Sequence, residues 1–142
     1  MIDVGPLVPR QLWGWSVAGR LHKTHWRSIR EDVVRRARWR CDGCGAERLK
    51  GLHADEVWTY DEDPALAILT AIRPLCQVCH MVKHLGRTEK LGRRDVAMWH
   101  AMRVNQWTQA QWELTCIRVH AEWRQRERIQ WRVAVDADLV ER

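Results

Sequence analysis

Two periodicities alternate along this chain. Trp26, Ile29, Val33 and Ala37 recur at intervals of 3, 4 and 4, which puts them on one face of a helix. With Thr24 as a candidate N-cap, the pattern predicts a helix from about His25 to Ala37. Its other face carries Arg27, Arg30, Arg35, Arg36 and Arg38, with Glu31 and Asp32 among them. From Gly51 to Tyr60 the period drops to two. His53, Asp55 and Val57 fall on one side of an expected strand, and Leu52, Ala54, Glu56 and Trp58 on the other. Ala65 to Ile72 is apolar in the main and fits either a strand or a short helix.

Further on, Arg73-Pro74-Leu75 leads into a helix expected from Cys79 to about Leu85 and closed near Gly86. Asp95 to about Val104 reads as another helix. Thr108-Gln-Ala-Gln111 matches the capping-box pattern and opens a third. In it Trp112, Cys116, Val119 and Trp123 repeat at 4, 3 and 4, an apolar seam expected to pack on the body or on a partner chain. A homodimer or partner protein held through this C-terminal helix is therefore open. Residues 1–24, broken at Gly5-Pro6, Pro9, Gly14 and Gly19, read as an irregular arm pinned by Trp13 and Trp15. Asp61-Glu62-Asp63-Pro64 reads as an acidic turn. The expected organisation is an N-terminal arm (1–24), a core with its leading helix (25–90) and a helical C-terminal extension (91–142), in the α+β class.

A length of 142 residues with 46% hydrophobic positions can bury one core. Ten Trp and no Phe is an unusual aromatic set, suited either to packing or to stacking on nucleotides. The net charge is +6, carried mostly by arginine, whose planar fork matches phosphate oxygens bidentately. Nucleic acid is compatible with that balance, as is a solvated basic surface without a ligand. No apolar run approaches the ~20 residues that span a bilayer, so no membrane contact is expected. The start lacks a cationic segment followed by an apolar one, and the thiols are then expected to be reduced in a cytoplasmic protein.

The cysteines carry the clearest chemistry. Cys41-Asp-Gly-Cys44 and Cys76-Gln-Val-Cys79 are two CxxC knuckles, and four thiolates suit a closed tetrahedral structural Zn²⁺ site. Thirty-one residues separate Cys44 from Cys76, so the pairs converge only if the intervening strand region folds back as a hairpin. Gly43 and Gly45 are expected to supply the positive-φ backbone of the first knuckle. A redox CxxC is the rival, disfavoured because neither pair sits between strand and helix of a βαβ unit. Cys116, on the apolar seam, reads as a small core residue. His80 follows the last knuckle cysteine directly, and His84 shares its face one helical turn on.

Residues 38 to 86 resemble the HNH endonuclease family. The matching pieces are Cys41-x-x-Cys44-Gly45, the strand Leu52-His-Ala-Asp-Glu-Val-Trp58 and Leu75-Cys-Gln-Val-Cys-His-Met-Val-Lys-His84. The Val8-Pro9 arm and the Val104-Asn-Gln-Trp107 turn look like the flanks of bacterial and phage HNH-domain proteins. The resemblance implies a small zinc-stabilised ββα-metal core with flanking N- and C-terminal helices. It also implies metal-dependent hydrolysis of phosphodiester bonds in DNA, with Mg²⁺, Mn²⁺ or another divalent ion as the catalytic metal.

On that resemblance His80 matches the helix ligand of the catalytic ion, with His84 beside it. Asp55 matches the strand ligand and Glu56 the general base; a register shifted by one makes Asp55 the base and Ala54 the ligand. His53, two residues from Asp55 on the same strand face, is a third option as base or ligand. Ala71 stands where the family has a bracing Asn. Arg27, Arg30, Arg35 and Arg38, with Arg118 and Arg124, are the expected grip on double-stranded DNA. Two other readings remain: an HNH-like zinc module that binds nucleic acid without cutting, and a protein-interaction module built on the Trp112–Trp123 seam.

Overall fold

The computed structural model describes residues 1–141. After a 3₁₀ turn at Arg10–Leu12, the helices and strands are α1 (Val17–Arg20), α2 (Lys23–Arg36), β1 (His53–Asp61), β2 (Leu66–Leu75), α3 (Gln77–Lys83), α4 (Leu85–Lys90), α5 (Arg94–Asn105), α6 (Gln109–Arg126) and β3 (Arg132–Val135). A second 3₁₀ turn at Ala137–Leu139 follows β3. The chain is thus α+β with a three-stranded sheet in the order β1-β2-β3.

The acidic turn closes an antiparallel hairpin, as the spacing of the cysteine pairs requires. His53 pairs with Leu75, Asp55 with Arg73 and Val57 with Ala71, and the register shifts between Val57 and Trp58. This pairing resolves the segment as strand from Leu66 onward, with Ala65 left in the turn, because β1 supplies its ladder and Ala67 and Leu69 are fully buried. The hairpin carries the chain from the first knuckle back to the second. A short bridge between Arg40 and Glu47 flanks the first knuckle, and the Gly45 amide donates to the Cys41 carbonyl at 2.8 Å. Gly45 has φ +73, the left-handed backbone expected of it. Gly43 does not. Its missing side chain serves space instead, since a Cβ there would lie 2.9 Å from Cys79 Sγ.

Three helix boundaries differ from expectation. α2 starts at Lys23, and His22 caps it instead of Thr24: the His22 ring accepts the Thr24 amide at 3.4 Å. α3 starts two residues before Cys79, because the Cys76 sulfur accepts the Cys79 amide and so acts as N-cap. Gly86 does not close that helix. The chain breaks at His84 (φ −93, ψ 51) and resumes as α4 with Gly86 inside it. Thr88 bridges the break, donating its hydroxyl to the Met81 carbonyl at 2.6 Å.

The last third is not wholly helical either. Beyond α6, Arg132–Val135 forms a strand parallel to β2, with Leu66 opposite Arg132 and Leu69 opposite Val135. Four residues are too few for period-two patterning to register in the sequence. Trp131, just before it, is buried with Leu12 and Ala67 in a small second core beside Tyr60. The α6 capping box forms as expected. Trp112, Cys116 and Val119 are buried in the main core, so the seam packs on the body of the chain.

That main core surrounds the knuckles. Leu75, Val82, Leu85, Ala97, Ala101 and Trp112 close over Cys76 and Cys79. The N-terminal arm, which carries the 3₁₀ turn and α1 instead of being irregular throughout, is part of it: Ile2, Val4 and Leu7 are buried. Asn105 clamps Ile2 through both its amide and carbonyl, at 2.7 and 2.8 Å. Trp15 pins the arm edge-on against Trp58, whereas Trp13 stays half exposed.

Candidate functional site

The hairpin and the start of α3 bring Cys41, Cys44, Cys76 and Cys79 together, all four sulfurs within 4.8 Å of one another. Cys44 and Cys76 sulfurs stand 3.9 Å apart. Thiolates about 2.3 Å from a tetrahedral zinc stand ~3.8 Å from each other, so the donor set fits that ion. The Cys41 thiol is drawn down to about 4 by its hydrogen bond with Cys79, which together with the Cys76, Cys44 and Gly43 amides outweighs burial.

The zinc-type site has a neighbour not foreseen in the sequence. His100 on α5 places Nε2 3.2 Å from Cys79 Sγ, and Arg103 faces its Nδ1 at 3.4 Å. Arg103 can only donate, so Nδ1 accepts and Nε2–H points at the sulfur. Outer partners of this type orient metal ligands. The available signal was helical: His100 lies beside the buried Ala97 and Ala101 on one face of α5.

Next to the cysteines, Asp55, His80 and His84 form a second donor cluster, also within 4.8 Å. Asp55 is 2% exposed, an unusual place for a carboxylate. Its two oxygens face different partners. Oδ2 accepts from the Lys83 ammonium and from Arg73 Nε at 3.4 Å. Oδ1 lies 3.2 Å from His84 Nε2 and 3.5 Å from His80 Nε2. Burial opposes ionisation of Asp55, but hydrogen bonds to His80 and His84 and the Lys83 ammonium outweigh it and hold the carboxyl below the usual carboxylate range. Burial also pulls Lys83 down, against the pull of Asp55.

Donors about 2.1 Å from one cation stand ~3.0–3.4 Å apart in octahedral or tetrahedral geometry. Asp55 Oδ1 stands close to that spacing from each Nε2, at 3.2 and 3.5 Å, and the three donors lie within 4.8 Å of one another, so the residues fit a divalent ion. Two imidazoles with one carboxylate suit a transition ion such as Mn²⁺ or Zn²⁺ better than Mg²⁺.

The remaining expected site residues divide. His53 is close: its Nδ1 faces His80 Nδ1 at 3.2 Å. Its pKa is lowered, first by burial and then by His80 and Arg30. Glu56 is not brought to the cluster. Its carboxylate points to the other side of β1, accepting the Ala18 amide and the Trp58 indole N–H, each at 3.1 Å. Only its backbone carbonyl joins the site, accepting from Lys83 Nζ at 2.7 Å. Ala54, the ligand of the shifted register, has no donor atom, and Ala71 sits beside the bulge opposite Val57.

Of the expected phosphate-binding arginines, Arg30 is the one whose charge reaches the cluster, through His53. Arg27, Arg35 and Arg38 are exposed, and Arg35 pairs with Asp32 at 2.7 Å. Arg118 and Arg124 are exposed on α6, Arg118 paired with Glu122 at 2.9 Å. Arg126 does not join them; it is buried with its guanidinium over Tyr60.

No protein-family model, curated protein or solved structure matches the chain. Among the described residues no helix is long and apolar enough to cross a membrane.

Proposed function

We propose that this chain is a metal-dependent nuclease of HNH type, hydrolysing phosphodiester bonds in DNA. Its four cysteines hold a structural zinc, and Asp55, His80 and His84 hold the catalytic ion. The observation that carries this reading is the split of the Asp55 carboxylate, one oxygen fixed by Lys83 and Arg73 and the other turned to two imidazole nitrogens.

A divalent ion, when bound, supplies a Lewis acid that lowers the pKa of water and neutralises charge on the phosphodiester. The chain's own part is to fix the donors. Were His80 to hold the ion through the nitrogen that faces Asp55, its Nδ1 would carry the proton and donate to His53 Nδ1, and that contact would set the His80 ring. His53 Nε2–H then faces outward as a donor toward a phosphate oxygen. His53 accepts a proton from water only if its ring leaves His80. Lys83 and Arg73 keep Asp55 ionised and immobile, and Arg30 adds positive charge felt at His53.

One observation favours a second reading, a zinc module that binds nucleic acid without cutting. Among the described residues no carboxylate base reaches the cluster, because Glu56 faces away. Incubating supercoiled plasmid with zinc-loaded protein and Mg²⁺ or Mn²⁺ separates the two. Nicking that His80→Ala abolishes supports the nuclease. Plasmid that is retarded at low salt yet stays supercoiled with every ion supports the binding module.

A further inference from the structure

A cavity of about 550 Å³ opens beside the Asp55 cluster, between the N-terminal arm, α4 and α6. His84 forms part of its wall, so the cavity and the second donor cluster share a side chain. Its volume falls in the usual range for small-molecule sites.

The lining includes three indoles, Trp13, Trp15 and Trp123. Two of them hang from one acceptor: the Val8 carbonyl takes the Trp13 indole N–H at 2.9 Å and that of Trp123 at 3.1 Å. The third is held edge-on against Trp58, ring centroids 5.3 Å apart. The aromatic walls are therefore fixed in place.

Cations border the same walls. The Arg10 guanidinium lies 5.9 Å from the Trp13 ring and 5.4 Å from that of Trp123, and Lys90 Nζ lies 4.2 Å from Trp13. Arg87 adds a third positive group. The acidic lining residue, Glu89, is already engaged by Arg94 at 3.5 Å and His120 at 3.2 Å. Flat π faces with cations lying over them match a planar aromatic ring joined to an anion, the Arg10 and Lys90 side chains swinging from the indole faces to the anion as the ring enters. An aliphatic ligand would leave the cations unused, and a bare phosphate would leave the indoles unused.

The geometry points to an unpaired nucleotide of the substrate strand as the occupant, its base against Trp13 and Trp123 and its phosphate toward Arg10, Arg87 and Lys90. A base inside a duplex has both faces covered by its neighbours, so the nucleotide must be single-stranded or extruded. This rests on the nucleic-acid reading above and narrows its substrate to nucleic acid unpaired next to the cleavage point.

The test uses the zinc-loaded full chain without added Mg²⁺ or Mn²⁺ and a pentanucleotide carrying 2-aminopurine, whose fluorescence falls on stacking. Trp13→Ala removes a half-exposed wall without opening the core. Gly86→Leu fills the cavity from α4, where an added Cβ meets only the Leu7 methyls, at 4.0 Å. Each change is expected to weaken pentanucleotide binding about tenfold, a typical loss for one base–aromatic stack. Blunt duplex of the same sequence should bind both variants as it binds the unaltered chain.

Absence of saturable pentanucleotide binding overturns the assignment. So do variants that bind the pentanucleotide normally, and variants that lose duplex and pentanucleotide alike. Plasmid nicking reports separately on the nuclease reading. A chain that nicks while both variants bind normally loses the cavity assignment alone. A chain whose variants lose the pentanucleotide while no ion produces nicking keeps the cavity and loses the hydrolase.

Discussion

Lys83 donates its buried ammonium to Oδ2 of Asp55 and thereby leaves Oδ1 as the oxygen that faces His80 and His84. A lysine four residues along α3 from Cys79 thus decides how a strand carboxylate is presented. The same ammonium also holds the Glu56 carbonyl at 2.7 Å, tying α3 to β1 at the point where the donors meet.

Lys83→Ala removes that tie and leaves a carboxylate at 2% exposure with Arg73 as its remaining fixed cation. Removing one member of a buried ion pair costs about 3–5 kcal/mol. Urea unfolding of the zinc-loaded protein should show a loss near the lower figure, because Arg73 stays. A loss under ~1 kcal/mol would mean that the pair does not hold the hairpin to α3.

The pH dependence follows from the sign of the Asp55 shift. Its folded pKa lies below the unfolded value of ~3.9, so its contribution is complete above that value and is lost as pH falls through the folded pKa. The stability difference between the unaltered chain and Asp55→Asn should therefore not shrink between pH 7 and 5 and should be lost only below about pH 4. Taking the difference cancels acid loss at the cysteines, which both proteins share. A gap that already closes near neutrality would place the folded pKa above the unfolded one.

The zinc site makes a sharper demand on one glycine. A methyl group at Gly43 would sit 2.9 Å from Cys79 Sγ and 3.2 Å from its Cβ, with Ile2 at 3.3 Å behind it. Gly43→Ala should therefore displace Cys79 and weaken zinc retention by tenfold or more in a chelator competition. Gly45→Ala, with open space around it, should be penalised only for its positive φ, about 1 kcal/mol. Complete zinc removal should melt the helical circular-dichroism signal, since structural zinc contributes on the order of 10 kcal/mol to folding.

The sequence made the knuckles, the hairpin between them and the helices legible because each has a local cause: CxxC spacing, period-two alternation, a capping box. The four cysteines, and Asp55 with His80 and His84, assembled where spacing placed them. What stayed hidden depends on contacts distant along the chain. Glu56 carries the right group at the right offset, but α1 and Trp58 claim its carboxylate from the far side of β1. Lys83 is buried because the hairpin folds Asp55 onto it from 28 residues away along the chain. β3 exists only because β2 offers an open edge to Val133 and Val135.

Glu56→Gln tests that placement. The side chain keeps its shape, but the Ala18 amide and the Trp58 indole N–H use different carboxylate oxygens, so the amide oxygen keeps one acceptor and the other N–H meets the new NH2. Metal-dependent nicking should stay within about threefold of the unaltered chain, with stability down by about 1–3 kcal/mol for the N–H that loses its acceptor. A loss of a hundredfold or more would return Glu56 to the general-base role.

His53→Ala separates orientation from proton transfer. If His53 sets the His80 ring through the 3.2 Å contact between their Nδ1 atoms, its loss frees that ring and weakens the hold on the ion. Outer-shell partners of metal ligands are worth about 10–100-fold in metal affinity or activity. The Mn²⁺ dissociation constant, measured by titration of the zinc-loaded protein, should therefore rise at least tenfold, and excess Mn²⁺ should restore most of the nicking rate. A base would behave otherwise: Mn²⁺ affinity would hold while the rate at saturating metal fell by about 10²–10⁴. The second outcome would require His53 to turn away from His80 during turnover, with Arg30 beside it steering the phosphate instead.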